Sequence, residues 1–242
     1  MAIDFIPLAS SSKGNCYFLS DGHTNLMLEA GIPMKAIRSG MSKHVPGRLS
    51  SRISGLSAAL ITHNHGDHAK AVKDVLKAGI DCYMTKGTAT ALDLASNHRV
   101  RIVEPLKKYS IGSWVVVPFK TEHDAPDPAG FMLASPGGKV LFATDTYYIS
   151  NQFKGLTHIA VECNYSLDIL EANVSAGIIS PARKKRLLQS HFSLANVKKF
   201  LAATDLSQCR EIWLIHLSSE NSDEERFKTE IQQLTGIPVK IA

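Results

Sequence analysis

The chain has 242 residues, 44% hydrophobic and 20% charged, with a formal net charge of +5. That length carries one large domain or two small ones with a substantial core, and the apolar content is that of a soluble globular protein. No apolar run approaches the roughly 18 residues of a membrane span, and Met1-Ala2-Ile3-Asp4-Phe5 lacks signal-peptide character. The cysteines, Cys16, Cys82, Cys163 and Cys209, form no C-x-x-C pair. A disulfide framework is not expected, and a cytoplasmic setting is.

In chain order, Ile3–Leu8 and Cys16–Ser20 read as strands around the turn Ser10-Ser11-Ser12-Lys13-Gly14-Asn15, with Leu26–Glu29 a third. Met41–Gly55, with Pro46 and two glycines, reads as an exposed loop. Ala58-Ala59-Leu60-Ile61 is a short buried strand, and Val72, Val75 and Leu76 ahead of Gly79 form the face of a helix with a glycine stop. Further strands are expected near Ile80–Met84, Trp114–Phe119, Phe131–Ala134, Val140–Ala143, Ile159–Val161 and Glu211–Ile215. Helices are expected over Thr88–Ser96, after an N-cap at Ser193 and over Asp223–Leu234. Strands alternating with helices predict a layered α/β or α+β fold, and the absence of repeats or a clear linker predicts one domain over 1–242.

Between the strand at 58–61 and the helix after it stands Thr62-His63-Asn64-His65-Gly66-Asp67-His68. Four potential metal ligands at the spacing H-x-H-x-D-H suit zinc, manganese and similar divalent ions. His63 and His65 are two apart and share a direction in an extended segment. Gly66 lets the backbone turn, so Asp67 and His68 face a second point nearby, a pattern that suits two adjacent ions. Two other apolar strands end in ligand-type residues, Val140–Thr144 in Asp145 and Ile212–Ile215 in His216. Strand ends hold ligands rigidly where loops converge. His123, in Thr121-Glu122-His123-Asp124, is a further candidate. His23, His44, His98 and His158 have no comparable setting and read as surface or satisfied core residues.

Charge is uneven. Lys35–Ser57 holds five basic residues, Arg48 and Arg52 among them, and no acid. Ala172–Thr204 holds six, including Lys184 and Lys185, again with no acid. Two acid-free segments beside a metal motif lean toward a phosphate-bearing polyanion.

H-x-H-x-D-H, a lone His, Thr-Asp and a late His after a strand together resemble the metallo-β-lactamase fold. Leu8-Ala9-Ser10-Ser11-Ser12-Lys13-Gly14-Asn15-Cys16 resembles the L-x-S-x-S-x-G-N-C opening of its YycJ/WalJ-like branch. So do His123-Asp124-Ala125 with Asp127-Pro128, Glu162-Cys163-Asn164, Gln189-Ser190-His191-Phe192-Ser193 and His216-Leu217-Ser218. The resemblance implies an αββα sandwich, a two-metal site and phosphodiesterase chemistry on nucleic acid, usually DNA exonuclease activity. It implies His63, His65 and His123 on one ion, Asp67, His68 and His216 on the other, and Asp145 bridging. His191 resembles the additional histidine of nuclease branches, at the scissile phosphate or the leaving group, so the catalytic residues implied are His191 and Asp67. The sequence departs from the branch at Glu29-Ala30-Gly31, where Asp-Ala-Gly is usual, at Asn164-Tyr165-Ser166, where Asn-His-Asp is common, and at Ser190, where glycine is common.

The chemistry stands on general grounds too. Two divalent ions (Zn²⁺ or Mn²⁺) can hold a hydroxide at neutral pH and neutralise phosphodiester oxygens. A histidine beside the leaving oxygen can supply its proton. The expected activity is hydrolysis of nucleic acid, DNA foremost, with Arg48, Arg52, Lys184 and Lys185 as substrate contacts. Three alternatives remain open: a small phosphodiester such as a cyclic nucleotide, a thioester or lactam, and a binding module with structural metals.

Overall fold

The computed structural model describes residues 3–47 and 51–242. Two compact units divide the chain, Met1–Lys120 with Ala125–Gly138 and Thr121–Asp124 with Lys139–Ala242.

In the first unit a six-stranded sheet follows chain order: β1 (Asp4–Ala9), β2 (Cys16–Ser20), β3 (Asn25–Leu28), β4 (Ala58–Leu60), β5 (Cys82–Thr85) and β6 (Val100–Val103). Short turns make β1, β2 and β3 antiparallel. Longer, helix-bearing connections make β3 through β6 parallel. Those connections carry α1 (Met34–His44), α2 (Gly66–Ala69), α3 (Val72–Lys77) and α4 (Lys86–Ala91). Ile37 and Met41, one turn apart on α1, and Val72, Val75 and Leu76 on α3 are buried with Phe18, Met27, Ala59, Cys82 and Met84. Three further strands, β7 (Tyr109–Ile111), β8 (Trp114–Lys120) and β9 (Ala129–Ser135), pair antiparallel in the same unit.

The second unit contains β10 (Gly138–Ala143) beyond its first residue, β11 (His158–Glu162), β12 (Glu211–Ile215) and β13 (Val239–Ile241), all parallel. Every residue of β11 is buried, the pattern of a parallel strand covered on both faces. The connections supply α5 (Leu167–Ser175), α6 (Pro181–Ser190), α7 (Leu194–Ala202) and α8 (Glu224–Thr235). The register sets Ala143 beside Val161, Val161 beside Leu214 and Glu162 beside Ile215. The carboxyl ends of β10, β11 and β12 are therefore level, which is where open parallel sheets carry their ligands.

Most expected elements appear within two residues of their predicted bounds. The segment 41–55 differs from the exposed loop expected. α1 runs to His44, a 3₁₀ turn occupies Ile53–Gly55, and Met41, Val45 and Ile53 are buried. Spaced apolar residues among lysines, serines and glycines concealed a narrow buried face. The helix expected over Thr88–Ser96 is α4, earlier and shorter, because Thr85 caps it by accepting from the Thr88 amide. α1, α2, α5, α6, β6, β7 and β13 lie outside the elements expected from the sequence. Among the described residues no helix is long and apolar enough to cross a membrane.

Candidate metal centre

In the first unit, β4 delivers the motif loop and α2 begins inside it, so Asp67 and His68 are helical residues. The four side chains come together. His63 Nε2 lies 3.1 Å from His65 Nδ1, and His68 Nε2 lies 3.4 Å from Asp67 Oδ2. The rings of His63 and His68 are 4.2 Å apart between centroids. Gly66 does not make the turn expected of it. Its φ is not positive, and a Cβ there would meet nothing within 4 Å. The helix start turns the chain instead.

The glycine that matters is Gly31. A Cβ at that position would stand 1.6 Å from the Asp67 carbonyl oxygen. That oxygen accepts from the Asn15 amide at 2.8 Å, Gly31 donates to the Asn15 carbonyl at 2.8 Å, and Ala30 donates to the His68 carbonyl at 2.8 Å. The opening motif and Glu29-Ala30-Gly31 thus clamp the metal-motif loop through main chain. Glu29 is fully buried; its carboxylate accepts from the Thr62 amide at 3.2 Å and lies 3.6 Å from His68 Nδ1. Burial raises its pKa, against the pull of His68. The longer glutamate therefore backs His68, the work an aspartate would be expected to do.

In the second unit the centre is Asp145. His123 Nε2 lies 3.5 Å from its Oδ2, and His216 Nε2 lies 3.5 Å from its Oδ1. His123 Nδ1 donates to the Ser190 carbonyl at 2.9 Å. The serine in place of glycine is therefore of little consequence to that contact, which uses only main chain. Glu162, the last residue of β11, is fully buried and fully engaged. Its Oε1 accepts from His191 Nδ1 at 2.7 Å and His216 Nδ1 at 3.0 Å. Its Oε2 accepts from the amides of Thr146 and Phe192, both at 3.1 Å. Four donors leave it no capacity for an ion, so its role is to orient two imidazoles. Burial alone would raise the Glu162 pKa, but the charge and hydrogen bond of His191 outweigh it and the net shift is downward. Asn164 adds a hydrogen bond to the His216 carbonyl at 2.9 Å.

These contacts fix protonation. A carbonyl accepts only, so His123 carries its proton on Nδ1. Burial lowers its pKa despite Asp145, so the ring is neutral and Nε2 offers a lone pair. His216 Nδ1 donates to Glu162 at 3.0 Å, so its Nε2 is the ring nitrogen that faces Asp145. Two ring nitrogens thus face the two oxygens of one carboxylate, a grouping of donor types that divalent cations favour. Ligand atoms held tetrahedrally about 2.1 Å from one ion stand about 3.4 Å apart. The separations in the first unit, 3.1 and 3.4 Å, and in the second, 3.5 and 3.5 Å, suit that spacing. His63, through Thr62 Oγ1 at 2.9 Å, His123 and His216 also have outer hydrogen-bonding partners of the kind that sets a metal-binding tautomer. The donor set fits divalent ions.

His191 lies beside these residues. Its ring stacks on His216 at 5.5 Å and stands edge-on to His123 at 5.5 Å. Among the described residues no hydrogen bond engages its Nε2. Burial works to lower its pKa, but the charge and hydrogen bond of Glu162, with Asp145 behind them, carry it above the ordinary value. His158 is a satisfied core residue, bonded to Thr157 Oγ1 at 2.8 Å, and His23, His44 and His98 are exposed. The buried thiols of Cys16, Cys82 and Cys163 are pushed up by desolvation and are not nucleophiles.

The basic residues are placed differently. Arg48 lies outside the described residues. Arg52 is exposed in the first unit, in a shallow cavity with Arg38 and Ser42. On α6, Lys184 pairs with Glu171 at 2.5 Å, Arg183 with Glu220 at 2.8 Å and Arg186 with Asp124 at 2.9 Å. Only Lys185 in that run has no acidic partner among the described residues.

The β-lactamase superfamily domain matches residues 24–216. The chain is 28% identical over 231 residues to the exodeoxyribonuclease WalJ of Streptococcus pneumoniae, spanning 90% of this chain and 82% of that protein. It is 25% identical over 249 residues to the exodeoxyribonuclease YycJ of Bacillus anthracis, spanning 97% and 89%. The crystal structure of the metallo-β-lactamase fold protein YhfI from Bacillus subtilis is similar at a TM-score of 0.73 with 15% identity, covering 100% of this chain and 97% of YhfI. The αββα type expected from the sequence is the fold these matches show. With most of its length matched by that family, the chain belongs to the β-lactamase superfamily and is one of its metal-dependent hydrolases.

Proposed function

We propose that this protein is a phosphodiesterase that hydrolyses nucleic acid, with DNA the substrate and exonucleolytic cleavage the mode. The similarity to two exodeoxyribonucleases over 90% and 97% of the chain supports it. The observation that carries it is His191. A third imidazole, held by Glu162 next to two ligand-type histidines and raised in pKa, is a proton donor, and hydrolysis of a thioester or lactam has no evident use for it.

The ligands in this reading are His63, His65, Asp67 and His68 of the first unit and His123, Asp145 and His216 of the second, for two ions, zinc or manganese. Such ions, when bound, lower the pKa of water toward 7 and screen phosphate charge. The chain's own residues do the rest. Glu162 and Ser190 hold His216 and His123 in the tautomer that exposes Nε2, and Glu29 backs His68. His191 keeps a proton on Nε2 and delivers it to the leaving oxygen, after which Glu162 stabilises the ring until it is reprotonated.

One observation favours a second reading, a small phosphodiester. Three of the four cations on α6 are already paired with acids, which leaves less free charge there for a polyanion. Labelled single- and double-stranded DNA, RNA, a cyclic nucleotide and a thioester, offered to the metal-loaded protein, separate the readings. Preferential release of nucleotides from DNA ends is expected. Turnover of the cyclic nucleotide with none of DNA would refute the proposal.

A further inference from the structure

We propose that a cavity of about 450 Å³ in the second unit is a nucleobase-stacking subsite for the strand being cleaved. This rests on the nuclease reading. Its walls include Tyr147, Tyr148, Phe192, Asn196, Lys199 and Phe200. The volume falls within the roughly 300–1,000 Å³ of small-molecule sites.

Four observations converge on it. The first is exposure. Tyr147 is 39% and Tyr148 55% exposed, and they are the aromatics among the exposed large apolar side chains of the described residues. Two neighbouring tyrosines in water need a reason, since each keeps a large apolar face wet. The second is the floor. Phe192 is buried and Phe200 half-buried, with ring centroids 6.2 Å apart, so the cavity has π faces at its base and its mouth.

The third is anchoring. The Thr146 and Phe192 amides both donate to Glu162 Oε2 at 3.1 Å, and Glu162 Oε1 holds His191 and His216. Tyr147 also donates its amide to the Glu122 carbonyl at 3.1 Å, next to His123. The segments that wall the cavity are thus tied to the carboxylate that positions the proton donor, and a base seated there places its own phosphate close to His191. The fourth is polarity. Asn196 supplies an amide at the wall, and exposed Lys199 on α7 supplies a cation for a flanking phosphate. Aromatic faces with an adjacent cation bind single-stranded nucleic acid with little sequence preference, because every base has a π face. A lipid or an apolar peptide would use the tyrosines and leave Lys199 idle.

The test compares two single-stranded oligonucleotides of equal length, one intact and one with abasic residues along its terminal segment. For the metal-loaded wild type, KM should be roughly 5- to 150-fold higher on the abasic strand, the worth of stacking one base. Tyr148→Ala should raise KM on the intact strand by a similar factor, change little on the abasic strand, and be rescued by Tyr148→Phe. Lys199→Gln should lower the slope of log KM against log salt by about one on both strands. Equal KM for the two strands in the wild type, equal losses on both in Tyr148→Ala, or no loss on either would overturn the subsite while leaving the nuclease reading intact. Failure of the wild type to cleave either strand, with turnover of a cyclic nucleotide, would overturn both.

Discussion

Glu162→Gln is the most informative single change, because the amide differs from the carboxylate only in having one acceptor atom where four donors converge. If the amide oxygen takes the Oε1 position, the NH₂ faces the backbone amides of Thr146 and Phe192, now 3.1 Å away without acceptors. Two buried unsatisfied donors cost about 1–3 kcal/mol each, so about 2–6 kcal/mol in all. That is a large fraction of the roughly 5–15 kcal/mol that stabilises a typical domain. If the amide flips, its NH₂ faces His191 and His216 Nδ1, and His216 must move its proton to Nε2, the atom that faces Asp145. That tautomer cannot ligate a metal. The variant therefore loses stability, metal or both. Urea unfolding of the chelated protein measures the first, and metal analysis after reconstitution the second. A variant within about 0.5 kcal/mol of wild type that also bound metal normally would refute the role assigned to Glu162.

His191→Ala is expected to keep fold and metal content and to slow DNA cleavage by roughly 10²- to 10⁴-fold. The deficit should shrink on a nitrophenyl phosphodiester, whose leaving group needs no proton; equal deficits would refute proton donation. The pKa of His191 is raised, so the proton it must donate is fully present below about pH 6.5 and is lost as pH rises through the higher folded value. The rate should carry an alkaline limb above that pH, absent from His191→Ala on stopped pH profiles, and a limb unchanged in the variant would refute the assignment. Gly31→Ala should destabilise by at least about 1–3 kcal/mol and lower metal affinity, since the Asp67 carbonyl must move; a thermal melt and zinc titration indistinguishable from wild type would refute the clamp. KM for DNA should rise steeply with salt, and charge reversal at Arg52 and Lys185 should flatten that rise; a flat response with harmless reversals would favour the small phosphodiester.

How much of this was legible in the sequence follows from the range of each signal. Ligand-type residues at strand ends are local: an apolar run stops and a His or Asp follows, as at Ile61, Ala143 and Ile215. Glu162 obeys the same rule after Ile159-Ala160-Val161, and that rule could have singled it out as a functional residue, since a carboxylate closing a fully apolar strand requires buried partners. Those partners lie 29 and 54 residues away, so their identity was not readable. The roles of Gly31 and Asn15 were also hidden, because Gly31 packs against the Asp67 carbonyl and Asn15 donates to it, some 36 and 52 residues on. The basic run on α6 misled in the opposite direction. An acid-free stretch looks unpaired in sequence, yet Glu171, Asp124 and Glu220 reach it from elsewhere in the same unit.

The backbone at the strand ends carries a last argument about function. Glu29, Asp145 and His216, which follow β3, β10 and β12, have φ of 64°, 43° and 54°. Each is a non-glycine residue in the left-handed region, at a cost of about 1–2 kcal/mol. Glycine would relieve that cost at every one of them, so selection for stability alone would not place long polar side chains there. The left-handed turn lets the chain leave the strand sharply, and hydrogen bonds around each residue hold it there. Asp145 accepts from Thr144 Oγ at 2.8 Å and is flanked by the Thr146 amide on Glu162. His216 is held at its ring by Glu162 and at its carbonyl by Asn164. Glu29 donates its amide to the Leu60 carbonyl at 2.9 Å. Strain retained at three sites and over-determined at each is the signature of geometry kept for chemistry. It accounts for why Asp145 lies 3.5 Å from both His123 Nε2 and His216 Nε2.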